Sequence, residues 1–146
     1  MIKIEYPPYD FRIKTSGEKE LIFDPVRKQW VPLSPEEWVR QNFLLYLLLV
    51  KNYSSSLMAV EKEIHLGSLV KRCDIVIYTK EAKPLLIVEC KAMNVHLSTE
   101  VLDQILRYNI SLPVRYLIIT NGSYCLGYER NAISLEPLIE IPGATA

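Results

Sequence analysis

Two carboxylates and a lysine lie near the ends of two neighbouring apolar segments. Asp74 lies in RCDIVIYT, residues 72–79, and Glu89 and Lys91 lie in LLIVECKA, residues 85–92. These segments should be buried, and burying charged groups is costly unless something compensates them. Carboxylate oxygens are the ligands that hard divalent cations prefer. A nearby lysine can hold an attacking water or offset charge on a phosphoryl group. The residue types therefore indicate metal-assisted phosphodiester chemistry.

The segments that carry these residues predict three successive strands. They are rich in Val and Ile, about eight residues long, and end at turn signals; they cover residues 58–66, 72–79 and 85–92. If the second and third strands form a hairpin that turns near Glu81, Asp74 faces Glu89. Because side chains alternate along a strand, Lys91 shares a face with Glu89. We therefore expect the three side chains to converge on one patch.

Directly opposed carboxylates destabilise a sheet by roughly 0.2–1 kcal/mol, and a divalent cation would remove that cost. Oxygen ligands without His or Cys favour Mg²⁺ or Mn²⁺ over zinc. The alternative is a salt bridge at the sheet edge, in which Asp74 or Glu89 pairs with Lys91 or Arg72. The position of the acidic residues at the ends of two adjacent apolar strands favours the metal site.

Helices are predicted on both sides of the three strands. The first begins at a Ser34 N-cap, with proline at the first helical position and Glu37 as the third residue of a capping box, and runs to about Asn52. Its second half is apolar all round and should be buried, and Glu37 should point towards the interior. A second helix is expected at 98–109, and two further strands at 114–120 and 123–129.

Residues 1–33 predict an N-terminal β extension. The segments at 20–23 and 29–33 flank a turn and suggest a small hairpin. We expect this extension to pack on a core of residues 34–146, so that the chain forms a single domain. The order helix, three strands, helix and strand predicts a mixed sheet flanked by helices, of the α/β class.

Taken together, these segments resemble the PD-(D/E)xK nuclease superfamily, and more narrowly the N-terminal nuclease domain of type I restriction enzyme R subunits in a short stand-alone form. The resemblance covers roughly residues 27–125 and rests on the segments at 30–41, 71–78 and 103–109. It implies a restriction-endonuclease-like αβββαβ core that hydrolyses DNA phosphodiester bonds with Mg²⁺. The proline of the superfamily's name is replaced here by Cys73, which leaves the chemical ligands unchanged.

The resemblance also implies roles for individual residues. Asp74 and Glu89 would bind the metal together with the backbone carbonyl of Cys90, and Lys91 would position or activate water. Glu37 matches the first-helix glutamate that supports the metal, although its place in the capping box also accounts for it. Two glutamates of the first strand are competing candidates for metal binding: Glu61 and Glu63.

Other polar residues are candidates for organising the site and contacting DNA. Gln104 and Tyr108 match a Gln-x-x-x-Tyr motif of the superfamily, or else Tyr108 completes an apolar stripe and Gln104 is solvated. Three basic residues either line the path of the phosphates or are solvated surface charges: Arg40, Lys71 and Arg72.

Composition limits the possible partners and location. The 146 residues carry 17 basic and 17 acidic side chains, so only local basic patches are available to nucleic acid. Three cysteines are too few for a disulfide framework. No signal peptide opens the chain, and the longest apolar run, residues 43–50, is too short to span a membrane. These features predict a soluble, cytoplasmic protein.

We therefore predict a Mg²⁺-dependent DNA endonuclease or nuclease subunit, of restriction, defence or DNA-processing type. The sequence has no G-x-x-x-x-G-K-[ST] loop, so a partner subunit would have to supply a motor or DNA specificity, and a homodimer is a further expectation. One alternative is a catalytically idle nuclease fold that binds nucleic acid or serves assembly. Another is a scaffold domain whose carboxylates are salt-bridged.

Overall fold

The computed structural model describes residues 1–66, 68–100, 103, 114–132 and 134–144. In these ranges the α-helix is α1 (Pro35–Leu45), and the strands are β1 (Ile2–Lys3), β2 (Ile13–Ser16), β3 (Lys19–Asp24), β4 (Gln29–Pro32), β5 (Met58–Leu66), β6 (Leu69–Tyr78), β7 (Pro84–Cys90), β8 (Tyr116–Thr120), β9 (Tyr124–Arg130) and β10 (Leu135–Pro137).

Seven strands form one mixed sheet in the order β1-β9-β8-β7-β6-β5, with β10 also paired to β9. The pairing of β7 with β8 is parallel, and the other pairings of this sheet are antiparallel. The parallel pair requires a crossover between β7 and β8, which is where the second helix is predicted. That helix, residues 98–109, lies mostly outside the described residues. The predicted mixed α/β fold, with α1 followed by β5, β6 and β7 and later by β8, is confirmed.

The hairpin register expected between the second and third core strands is found. Ile75 pairs with Val88 and Ile77 with Leu86, before a bulge at Tyr78. Because neighbouring residues on a strand point to opposite faces, this register sorts the core into two layers. Ile75 and Val88 pack with α1 in the larger cluster. Their neighbours Val76 and Ile87 pack in a smaller cluster on the opposite face.

Helix α1 lies against β6 and β7 and begins at the predicted N-cap. The hydroxyl of Ser34 accepts a hydrogen bond from the backbone N–H of Glu37 at 3.0 Å, and Pro35 is the first helical residue. The helix continues as a π-helical turn, Tyr46–Val50. The expectation that its second half is buried all round is wrong at the end, where Leu49 is 54% exposed. This last turn packs on the sheet with one side only.

The N-terminal extension forms a second, three-stranded sheet, β2-β3-β4. The predicted hairpin is confirmed: β3 pairs with β4 from Leu21–Pro32 to Asp24–Gln29 around the turn at 25–28. Strand β1 instead joins the large sheet, where Ile2 pairs with Cys125. None of the helices in the described part of the chain has the length and apolar character needed to cross a bilayer.

Candidate active site

Asp74 ties the end of β7 to helix α1. Its Oδ2 accepts a hydrogen bond from the backbone N–H of Cys90 at 2.8 Å. Its Oδ1 accepts one from Nη2 of Arg40 at 2.7 Å, and both partners of this ion pair are largely buried. The carboxylate therefore lies on the α1 side of the sheet, directly beside the peptide that joins Glu89 to Cys90.

Glu89 is directed to the opposite face. Its neighbours Val88 and Cys90 both pack in the cluster under α1, so alternation turns the Glu89 side chain away from the helix. There its Oε1 accepts a hydrogen bond from Nζ of Lys71 at 2.6 Å. The Lys71 side chain is 5% exposed and that of Glu89 is 17% exposed. The two carboxylates therefore approach the end of β7 from different sides instead of sharing the one face that strict alternation predicts.

A break in strand alternation at Asp74 explains this difference. Cys73 packs in the smaller cluster, whereas Ile75, two residues further on, packs in the larger one. Strands β5 and β6 pair on either side of the break, but Glu61, the residue across from Asp74, has φ of 54° and is skipped in the ladder. A positive φ is uncommon for a residue with a side chain, and here it coincides with an interruption of the ladder between β5 and β6. Asp74 lies opposite this interruption, and its side chain points towards α1.

Lys91 lies just beyond the end of β7. Its backbone N–H donates a hydrogen bond to the carbonyl of Thr120 at 2.8 Å, which fixes the segment against β8. Its ammonium charge acts on Glu36, in the first turn of α1. The start of the Lys91 side chain is therefore held at the end of the sheet, beside β8. No hydrogen bond or ion pair joins its side chain to Asp74 or Glu89 in the described structure.

Glu37 is buried, as predicted, but its carboxylate is occupied by cations. Arg27 donates to both of its oxygens at 2.9 and 3.0 Å, and Arg40 donates to Oε1 at 2.6 Å. Gln41 donates to Oε2 at 3.2 Å. Of the capping box, the hydrogen bond from the Glu37 N–H to the Ser34 hydroxyl forms. The Glu37 carboxylate binds the arginines and Gln41 instead of the Ser34 N–H. Glu37 therefore acts on the site through Arg40, which also holds Asp74.

Arg40 forms close ion pairs with three carboxylates and a longer one, at 3.8 Å, with Glu36. Besides Glu37 and Asp74 it contacts Oε1 of Glu61 at 2.5 Å. Burial opposes its charge, but the hydrogen bond to Asp74 and the surrounding carboxylates outweigh burial and raise its pKa. Burial alone would raise the pKa of Glu61. The hydrogen bond from Arg72 and the charges of Arg40 and Arg72 lower it instead. The two arginines therefore favour the ionised form of Glu61.

In the first turn of α1, by contrast, the pKa of a carboxylate is raised. Burial and the charge of Asp74 raise the pKa of Glu36, against the smaller effects of Arg40 and Lys91. Cys90, between the two carboxylates, has a pKa raised first by burial and then by Asp74, with a smaller contribution from Glu89. The charges of both carboxylates also raise the pKa of Cys73, which burial brings to about 11. Both carboxylates therefore belong to the electrostatic surroundings of Cys73 and Cys90.

An open cavity adjoins the site. Its volume is about 420 Å³, and it lies between α1, β1 and the segments that follow β7 and β8. A second cavity of about 490 Å³ shares Trp38 and Met93 with it. The side chains that line the first cavity are apolar or uncharged polar apart from one lysine; they include Tyr6, Trp38, Asn42, Met93 and Tyr124. Met93 lies two residues beyond Lys91 in the sequence, so the segment after β7 connects the candidate site to the cavity wall.

The remaining predicted residues have mixed positions. Arg72 is exposed and pairs with Glu61 at 2.7 Å, so it belongs to the edge of the cluster. Glu63 is exposed and contacts His65, away from the site. Gln104 and Tyr108 lie outside the described residues.

The sequence analysis did not single out Asp24 and Arg27, which lie at the predicted turn. Asp24 is fully buried, and its Oδ2 accepts hydrogen bonds from Nε of Arg27 at 2.6 Å and from Nε2 of Gln41 at 2.9 Å. No local pattern reveals the contacts that these two residues make with α1.

The donor chemistry at this edge fits a hard divalent cation with few protein ligands. Mg²⁺ is usually bound by one or two carboxylates and completed by water and substrate phosphate. Asp74 and Glu89 supply two carboxylates next to the Cys90 peptide. No group of three or more His, Cys, Asp or Glu side chains suited to a metal occurs among the described residues. A cation here would therefore depend on the two carboxylates, one peptide oxygen and the substrate.

The mixed sheet, helix α1 and the carboxylates at the end of β7 define an α/β domain of the restriction-endonuclease-like type. A family model described as the type I restriction enzyme R protein N terminus matches residues 35–142. The chain belongs to this family, so its function is of the nuclease, restriction type, and DNA is the substrate that this implies. A comparison with curated proteins found no match.

Proposed function

We propose that this protein is a divalent-cation-dependent DNA endonuclease, or the nuclease subunit of a larger assembly, with its active site at the end of β7. The observation that carries the proposal is the hydrogen bond between Asp74 and the Cys90 N–H, because it joins the aspartate to the Glu-Cys-Lys segment despite the break in strand alternation. Membership of the restriction family supports the class of reaction.

In this proposal Asp74 and Glu89 hold Mg²⁺ or Mn²⁺, with the carbonyl of Cys90 as a third oxygen ligand. When bound, the cation would supply Lewis acidity at the phosphoryl group. The buried thiol of Cys90, whose pKa is raised by burial, takes no part, so this residue acts through its backbone alone. Glu37 supports the metal ligands indirectly, by fixing the guanidinium that binds Asp74.

Lys91 is the proposed catalytic residue that handles water. Its ammonium group can donate a hydrogen bond to an attacking water or to a phosphoryl oxygen as negative charge develops there. The backbone bond from Lys91 to Thr120 supports this role, since it holds the start of the side chain at the sheet edge.

The DNA strand would reach this edge past Arg72 and the rim of the cavity at Trp38 and Met93. Exposed Arg72 can pair with a phosphate. We further propose that Gln104 and Tyr108 help to organise the site, as in other branches of the superfamily. One such site cuts one strand, so cleavage of both strands would need a second copy or a partner subunit.

An idle nuclease-fold module is the second candidate. The observation in its favour is that every acidic side chain of the cluster already has an internal cation, with Arg40 on Asp74 and Lys71 on Glu89. A protein that needs no metal for charge balance could bind nucleic acid or a partner subunit without cutting. Such binding would persist in a chelator and weaken with salt.

The test is cleavage of supercoiled plasmid with Mg²⁺ or Mn²⁺ by the wild type and by Lys91→Ala. Loss of one hydrogen-bond donor to a developing charge lowers rates by about 10²–10³-fold, so we expect nicking that nearly vanishes in the variant. Lys62→Ala is the matched control, since Lys62 is an exposed lysine on β5. A chelator should abolish nicking. Equal nicking by Lys91→Ala and Lys62→Ala, or nicking in chelator, would refute the assignment.

A further inference from the structure

Arg40 is a buried cation at the centre of the acidic cluster. Its side chain is 7% exposed, and its two terminal nitrogens contact Glu37, Glu61 and Asp74 within 2.7 Å. A guanidinium keeps its charge at every accessible pH, so Arg40 places one permanent positive charge among these three carboxylates.

The three carboxylates depend on Arg40 to different degrees. Glu37 is also bound by Arg27, and Glu61 is also bound by Arg72. For Asp74, Arg40 is the cation found in direct contact among the described residues. The other Asp74 oxygen is engaged by the Cys90 N–H, so Oδ1, the oxygen held by Arg40, is the one at which a cation would compete.

We propose that Arg40 is a built-in counter-ion that holds Asp74 in the metal-free protein and weakens the binding of divalent cations. The inference rests on the proposed function, in which Asp74 is a metal ligand. A divalent cation at Asp74 is repelled by a guanidinium bound to the same carboxylate, and the low-dielectric surroundings strengthen that repulsion. Arg40 is therefore a positioning residue that sets metal affinity.

This arrangement links the metal to DNA. A substrate phosphate brings negative charge and oxygen ligands, and guanidinium groups pair with phosphate as readily as with carboxylate. DNA would thus offer Arg40 a second anion and the cation further ligands. Metal affinity should rise when DNA is bound, which would restrict the loaded site to the protein–DNA complex.

The experiment is Mn²⁺ titration calorimetry without DNA on the full chain and on Arg40→Gln, which removes the charge but keeps an amide donor. We expect Arg40→Gln to bind Mn²⁺ about tenfold or more tightly than the wild type, because one nearby positive charge is lost. Arg40→Lys retains the charge and should bind as the wild type does.

Arg72→Gln is the matched control, since it removes a cation from the same Glu61 but makes no contact with Asp74. Its affinity should change by less than about threefold, because exposed pairs contribute little. If Arg40→Gln unfolds without metal, the midpoint of folding against Mn²⁺ gives the affinity instead.

Equal or weaker binding by Arg40→Gln, with clear binding by the wild type, would overturn the counter-ion role and leave the proposed active site standing. Absence of Mn²⁺ binding in the wild type and in all variants would overturn both. If Arg72→Gln bound Mn²⁺ as tightly as Arg40→Gln does, that result would also overturn the specific role of Arg40, because removing any nearby positive charge would then explain the effect.

Discussion

Asp74 has two oxygens in different surroundings, and this asymmetry determines what the residue can do. One oxygen is fixed by a backbone N–H and cannot leave without breaking the link to β7. The other is held by the side chain of Arg40 and not by the backbone. Asp74 can therefore exchange a cationic partner without losing its position beside Cys90.

Glu61 provides a pH-dependent measure of the cluster at the residue scale. Its pKa is lowered below the ordinary 4.5, since the effects of Arg72 and Arg40 exceed that of burial. A lowered pKa in the folded protein stabilises it above the pKa of the unfolded chain, and this contribution is lost as the pH falls through the folded value. As the pH is lowered from neutral to below 4.5, the free energy of unfolding of the wild type should fall. We expect that of Glu61→Gln to fall less over the same range.

Urea unfolding across this range measures the effect. Glu63→Gln is the matched control, because Glu63 is an exposed glutamate two residues along the same strand, without a contact to Arg40 in the described structure. It should follow the wild type. Parallel curves for the wild type and Glu61→Gln would contradict the charge arrangement described for the cluster.

At the scale of elements, the turn between β3 and β4 reaches into the site. Arg27 lies in this turn and binds buried Asp24 on one side and Glu37 of α1 on the other. Glu37 in turn holds Arg40. The N-terminal sheet therefore supports the helix that carries the site, through a chain of ion pairs.

Arg27→Gln should both destabilise the protein and slow DNA cleavage. Breaking a fully buried ion pair costs roughly 3–5 kcal/mol, and the loss here should be smaller because the Arg27 side chain is 17% exposed. Arg12→Gln is the control: this exposed arginine lies over the rings of Phe23 and Trp30 in the same sheet. Urea unfolding and plasmid nicking measure the two effects. Equal losses in the two variants would contradict a special role for the turn.

The elements themselves were largely predictable, and the reason is physical. Apolar strands of about eight residues and a Ser-Pro-Glu helix start are local patterns, so β5, β7 and the start of α1 agree closely with their predictions. The break at Asp74 was not predictable, because it depends on the positive φ of Glu61 on the neighbouring strand. Assuming regular alternation therefore gave the wrong face for one of the two carboxylates.

At the scale of the whole molecule, the site combines parts that are distant in sequence. Asp24, Glu37 and Asp74 belong to three elements, and their common feature is contact with Arg27 or Arg40. The sequence identified Asp74 from its place in an apolar strand, and it offered Glu37 and Arg40 as further candidates. It could not identify the Arg27–Glu37 pair, since ion pairs between separate elements leave no periodic pattern.

Asp74 and Glu89 are each held by a different cation and directed to a different face, and we propose that they bind one divalent ion together. Electron paramagnetic resonance of Mn²⁺ with the wild type, Asp74→Asn and Glu89→Gln, in the presence of DNA, tests this most directly. We expect one bound Mn²⁺ per chain in the wild type and its loss in both variants. Retention of that ion in either variant, or none in the wild type, would contradict it.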